Sequence, residues 1–295
     1  MGTEAEMKLA WAISVVVATA APALQAQAPL GDDTVAISFS RQVGWSQSEA
    51  LEIARVGNSS FTTNYNHDGR PEIGQWQHPV TSERFEELLT LVKRSGYEQI
   101  PSLQEMPPEP HVVVFGERKA GQTRASLHLF DRVPPVLAPV VVTIETLRSE
   151  LLAHPVRVLR GEAKWSEAIV VRGRRSRIEL RLTNVGNAEL SFPNPLAHSE
   201  GWNGLRLALR PASGGEEHQV DLSDGDVSSA GRDRAPTLSL APGQTVRLEL
   251  RPKLDLPTGK YSSRLEYHSL QRLTGDTKLV CGTLALPMAD LAVKR

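Results

Sequence analysis

The stretch Leu240–His268, LAPGQTVRLELRPKLDLPTGKYSSRLEYH, holds two Pro/Gly turns, and each releases a run of alternating apolar and polar residues. Val246, Leu248 and Leu250 point one way while Arg247, Glu249 and Arg251 point the other. After the second turn Tyr261, Ser263, Leu265 and Tyr267 repeat the pattern. Period-two alternation behind a turn predicts a half-buried strand whose other face meets water. Outward from this stretch, residues 155–295 show no helical periodicity, only short alternating runs separated by turns such as Gly214-Gly215, Asp224-Gly225 and Pro242-Gly243. That spacing predicts an all-β sandwich of seven or eight strands, with Glu167–Val171 and Arg177–Thr183 flanking a turn at Gly173 as its first hairpin. Polar Asp221–Pro236 reads as a mobile loop.

Residues 29–154 read differently. Val35, Ile37 and Phe39 alternate, Gly57-Asn58 separates two further strand-like runs, and Asn64–Pro79 is rich in turn formers. Thr81 is a natural N-cap, Phe85, Leu88, Leu89 and Val92 share one helical face, and Gly96 is a natural stop. A strand pair, His111–Glu117 and Thr123–Phe130, precedes a second helix carrying Val140, Val141, Ile144, Leu147 and Leu151. The expectation is an α+β domain, ββαββα, with two helices on an antiparallel sheet, ending near His154-Pro155.

The 295 residues leave room for two domains, each burying its own core. With 23% charged and 40% hydrophobic residues and a formal net charge of −1, nothing pulls the whole chain toward nucleic acid or anionic lipid. Lys8, the apolar run Leu9–Ala18 and the small residues that follow have the order of a secretory signal peptide over residues 1–28, with Met7 as an alternative start. A periplasmic or extracellular protein with no stable membrane span after cleavage is expected. Cys281 is the single cysteine and reads as a buried strand residue.

The C-terminal runs Arg177–Phe192 (RIELRLTNVGNAELSF), Leu238–Leu250 and Leu256–Tyr267 resemble bacterial immunoglobulin-like domains of the intracellular proteinase inhibitor type. In that pattern a strand ends in a Thr-Asn turn, and Leu-x-Pro-Gly and Pro-x-Gly-x-Tyr turns start the last strands. The resemblance implies an immunoglobulin-like sandwich and proteinase inhibition. The N-terminal half resembles small ββαββα domains of uncharacterised exported proteins and, more faintly, emfourin-type metalloproteinase inhibitors.

The eight histidines form no His-x-His or His-Glu-x-x-His pattern, and no nucleophile elbow, phosphate loop or dinucleotide fingerprint is present. No catalytic, cofactor or metal residue is therefore expected. Arg172, Arg174, Arg175 and Arg177 form the densest basic cluster, readable as a patch for an acidic partner or as a solvated loop. Trp45, Trp76 and Trp202 lie in predicted loops, where a tryptophan serves either as a binding anchor or as a core plug. The expected function is non-catalytic binding of another protein through Trp45, Trp76, Trp202, Arg172, Arg174 and Arg175. An envelope structural or assembly module is the alternative, and a hydrolase or metalloenzyme is a more distant one.

Overall fold

The computed structural model describes residues 33–44, 47–105, 107–108, 111–196, 204–222, 227–228, 235–269 and 278–295. The signal segment, Trp45 and Trp202 lie outside them. No helix among the described residues is long and apolar enough to cross a membrane. The chain divides into two compact units, residues 1–63 with 75–155, and residues 64–74 with 156–295.

The first unit contains β1 (Thr34–Val43), β2 (Gln47–Ala54), β3 (Asn58–Thr63), β4 (Glu72–Pro79), α1 (Ser82–Ser95), β5 (His111–Lys119), β6 (Ser126–Phe130) and α2 (Ala138–Leu151). The first three residues of β4 belong to the second unit. The sheet runs β4-β3-β2-β1-β5-β6. Thr81 caps α1 by accepting from the Arg84 N–H, and Gly96 ends it in the left-handed conformation at φ 61°. Register places Phe39 beside Leu51 and Phe115, and Leu51 beside Phe61. These share one face of the sheet and are buried, as are Phe85, Leu88 and Leu89 of α1 and Ile144 and Leu147 of α2.

The same sheet face carries charge at one end. Arg41 is in phase with Phe39 and is paired with Glu49. Glu145 of α2 lies 3.0 Å from Arg41 and 3.1 Å from Arg148, whose guanidinium sits 4.8 Å above the Phe61 ring. Glu49 and Arg148 are buried and Arg41 and Glu145 half-buried, which is tolerable because opposite charges meet there.

The second unit contains β7 (Pro155–Trp165), β8 (Ile169–Val171), β9 (Ile178–Asn184), β10 (Leu190–Pro193), β11 (Gly204–Pro211), β12 (His218–Leu222), β13 (Val227–Ser228), β14 (Thr237–Leu240), β15 (Thr245–Leu250), β16 (Gly259–Ser269) and β17 (Gly282–Lys294). Three strand groups result: β13-β15-β9-β7, β12-β11-β16-β17-β8, and the pair β10-β14. One apolar core joins them, with Leu180, Leu182 and Leu250 from the first group and Leu207, Leu265, Tyr267 and Leu284 from the second. The alternation in Leu240–His268 is real, but its halves serve different sheets: β15 pairs with β9, whereas β16 pairs with β11 and β17.

The expected fold class, a ββαββα domain followed by an immunoglobulin-like sandwich, is overturned. Four strands precede the first helix, where the ββαββα order has two and the strand-like runs of the sequence number three, and the second unit has eleven strands among the described residues rather than seven or eight. It also takes residues 64–74 from the N-terminal half. The missing strand is β4. Gly74, at φ 138°, breaks its alternation, and a Cβ there would lie 2.0 Å from the Arg157 carbonyl oxygen. The turn formers around it gave Asn64–Pro79 the composition of a loop. The hairpin expected at Gly173 is not one either: β8 joins β17 while β9 joins β7 and β15, so the turn carries the chain between sheets. Within Asp221–Pro236, read as a loop, Val227–Ser228 pairs with β15, and the rest lies largely outside the described residues. Cys281 sits half-buried just before β17, not in a strand interior.

Candidate partner-binding edge at β8

The cluster Arg172, Arg174 and Arg175 lies immediately after β8, the last strand of its sheet. β8 pairs in parallel with Ala292–Lys294. The Ala292 N–H donates to the Ala168 carbonyl at 2.9 Å, and the Arg172 N–H donates to the Lys294 carbonyl at 2.8 Å. In a parallel ladder alternate residues bond to the same neighbour, so Ala168, Val170 and Arg172 turn their backbone groups toward β17. Ile169 and Val171 turn theirs the other way. The Val171 carbonyl accepts from the Arg174 N–H at 3.1 Å, leaving the Ile169 N–H and C=O and the Val171 N–H without a strand partner among the described residues.

Side chains follow the same alternation. Val170 enters the core at 4% exposure, while Ile169 and Val171 stand out at 49% and 38%. The basic segment beside them is held by backbone bonds: the Gly173 N–H donates to Leu254 O and the Ser176 N–H to Pro252 O, at 2.8 and 2.9 Å. Arg175 bridges to Lys253 and donates a side-chain bond to the Arg251 carbonyl at 2.8 Å. Arg172 pairs with Asp255 at 2.9 Å, both well exposed, a contact worth little in water. Arg172, Arg174 and Arg175 thus directly follow two exposed aliphatic side chains, with Asp255 paired to the first of the arginines. An open backbone edge, an apolar strip and positive charge coincide here. The basic residues were visible in the sequence; Ile169 and Val171 were not singled out, although their exposure in a strand ending at an arginine cluster is the signal that marks them.

Trp76 does not join this edge. Trp76 is buried at 1% exposure, its ring 5.4 Å from that of Phe61, and fills the core of the first unit instead of serving as an anchor. The turn-rich stretch around it suggested a loop, but β4 turns it inward. Trp45 and Trp202 fall outside the described residues.

One constellation has the form of a catalytic relay. His268 Nδ1 lies 3.3 Å from Thr283 Oγ1, and its Nε2 lies 3.0 Å from Glu266 Oε2. A hydroxyl, an imidazole and a carboxylate in line suit nucleophilic chemistry only when donors wait for the developing oxyanion. Here the Thr283 N–H is bound to Asn64 O and the Gly282 N–H to Ser269 Oγ. The row therefore reads as a sheet-surface network, continued by Arg264 on Glu266. The bond from His268, then the Arg264 charge, hold the Glu266 carboxyl below its ordinary value of 4.5 against the opposing effect of burial. A carboxyl depressed on folding stabilises the folded state above its unfolded value and loses that contribution as pH falls through the folded one. Urea midpoints for Glu266→Gln are expected to converge on wild type as the pH falls below 4.5, the wild-type advantage appearing only above it. An equal gap at pH 3 and pH 6 would remove Glu266 from the acid response.

Among the described residues no three His, Cys, Asp or Glu side chains gather to hold a metal. His78 and His154 stack ring on ring, 3.7 Å apart. Comparison with known proteins finds no matching family model and no matching curated protein. Solved structures give remote likenesses. The ApaA protein from Bordetella pertussis is 15% identical at a TM-score of 0.26, covering 48% of this chain and 98% of its own. The Pseudomonas fluorescens alkylpurine DNA glycosylase AlkC is 12% identical at 0.23, covering 52% of this chain and 39% of its own. The CARDB domain of PF1109 from Pyrococcus furiosus is 10% identical at 0.21, covering 44% and 95%. Likenesses of this order assign neither a fold family nor a function.

Proposed function

We propose that this is an exported, non-catalytic binding protein that captures an extended segment of another protein by strand addition at β8. The observation that supports the reading is the coincidence of unused backbone donors and acceptors at Ile169 and Val171 with exposed aliphatic side chains and a basic rim. Strand addition draws affinity from main-chain bonds and specificity from alternate side chains. The segment that fits has small apolar residues at alternate positions and acidic residues toward the Arg172–Arg175 end. Proteinase inhibition is the concrete form in which the captured strand belongs to a protease cleft.

Selection of displayed random peptides on the protein tests this. Enrichment of acidic, alternating sequences is expected, with affinity falling as salt rises. Arg174→Glu should weaken a selected peptide about tenfold and flatten its salt dependence. Ile169→Pro should abolish binding while leaving the fold intact, since it removes a donor that no strand of the structure uses. Failure to enrich, or peptides that bind both variants like wild type, would overturn the reading. A panel of proteinases assayed with and without Ile169→Pro then tells inhibition from plain capture.

A further inference from the structure

We infer that a strand captured at β8 is the β8 of a second copy of this chain, the two edges pairing about a twofold axis as a weak, closed dimer. The inference rests on the strand-addition reading and names a partner for it. The chain itself carries a segment of the kind that this edge fits. In Glu167-Ala168-Ile169-Val170-Val171 the exposed aliphatic side chains of Ile169 and Val171 alternate with buried Val170, and an acid stands at one end.

Register decides whether such a segment can meet itself. Ile169 and Val171 turn their backbone groups outward, while Val170 turns its own toward β17. An antiparallel pairing centred on Val170 sets Ile169 of each copy opposite Val171 of the other. Opposed residues that both face the partner exchange both backbone bonds. The Val171 N–H then donates to the Ile169 carbonyl of the second copy, and the Ile169 N–H to its Val171 carbonyl. That carbonyl already accepts from the Arg174 N–H at 3.1 Å and keeps a second lone pair. Opposed side chains share one face of a sheet, so the Ile169 and Val171 side chains of the two copies cover one another. Val170 stays in its own core at 4% exposure.

Direction supplies the charge match. Antiparallel strands bring the acidic end of each β8 beside the basic end of the other. Arg172 is paired with Asp255, and Arg175 is tied to the segment at Lys253. Glu167 and Arg174 are both exposed and enter no ion pair among the described residues. Across the twofold axis each Glu167 meets the end of the partner strand that leads to Arg174, so the complementary charges recur on both sides of the axis. β8 is three residues long, so the interface is small. A dissociation constant of about 10–100 μM follows from an interface of that size. A twofold pairing occupies both β8 edges and stops at two copies.

Sedimentation equilibrium of the full protein from about 1 to 500 μM is the test. A monomer–dimer curve is expected, ending at twice the monomer mass and weakening as salt rises. Ile169→Pro takes away a backbone donor and should leave a monomer across the range. Arg174→Glu and Glu167→Arg should each weaken the dimer about tenfold. The double variant, which restores opposite charges across the axis, should regain wild-type affinity. These charge changes fall on exposed residues and keep the test open should the proline variant misfold. A protein still monomeric at about 500 μM overturns the inference, as does a dimer that survives Ile169→Pro or a mass that grows past two copies. If the protein stays monomeric while displayed peptides still enrich at β8, this inference fails and strand addition stands. If neither is seen, both fail.

Discussion

Asn184→Ala is expected to lower the stability of the second unit by about 3–5 kcal/mol. Asn184 closes β9 and is completely buried. Its amide nitrogen donates to the carbonyls of Ala188 and Leu240, each at 2.9 Å, and its oxygen accepts from the Gly186 N–H at 2.9 Å. One side chain therefore holds the turn after β9 and ties it to β14. Truncation strands two carbonyls and one N–H in a dry interior, each costing about 1–3 kcal/mol unless water enters. Asn184→Asp should be similarly severe, since it keeps the acceptor but places a charge against two carbonyl oxygens. Urea unfolding measures both, and a loss under about 1 kcal/mol for the alanine variant would show that the turn is held by its backbone alone.

Gly282→Ala is the second large effect. Gly282 opens β17 at φ 154°, and a Cβ there would lie 2.2 Å from the Asn64 carbonyl oxygen and 2.7 Å from its carbon. Those atoms are backbone and cannot swing aside. The Thr283 N–H donates to the same oxygen at 2.8 Å, and Asn66 then brackets Ala285, accepting from its N–H at 3.0 Å and donating to its carbonyl. The methyl group must push residues 64–66 off β17 and break these bonds. A loss of about 3 kcal/mol is expected, together with new protease cleavage near Asn66–Gly69. Gly121→Ala is the control: it also has positive φ, at 78°, but nothing lies within 4 Å. It should cost only about 1 kcal/mol from backbone strain. Equal losses for the two would mean that strain, not the close approach, governs position 282.

Local signals in the sequence translated well where one element determines its own ends. Thr81 and Gly96 bound α1 because capping is settled within a turn of chain. Alternation likewise placed Leu248, Leu250, Leu265 and Tyr267 inward, since burial of one strand face needs no knowledge of its partner. Partner choice was not legible. A turn such as Gly173 specifies a reversal but not whether the next strand stays in the sheet, so β8 and β9 looked like a hairpin. Nor was the half-buried place of Arg41 on the sheet face legible. Its phase matches Ile37 and Phe39, yet Glu145, about a hundred positions on, supplies the opposite charge it meets there. For the candidate edge, charge was visible because it is compositional. The open backbone at Ile169 depends on β8 being last in its sheet, which is a property of the assembled fold.

The segment 64–74 gives the chain a temporal order. Asn66 meets Ala285 across 219 residues, so its partner is made long after it. Until then the second unit lacks one of its seams, and Gly282 has no neighbour to accommodate. Contacts this distant in sequence close slowly. A newly made chain therefore holds an unfinished sheet edge until residue 285 has been added, and a fragment stopped at residue 154 never completes it.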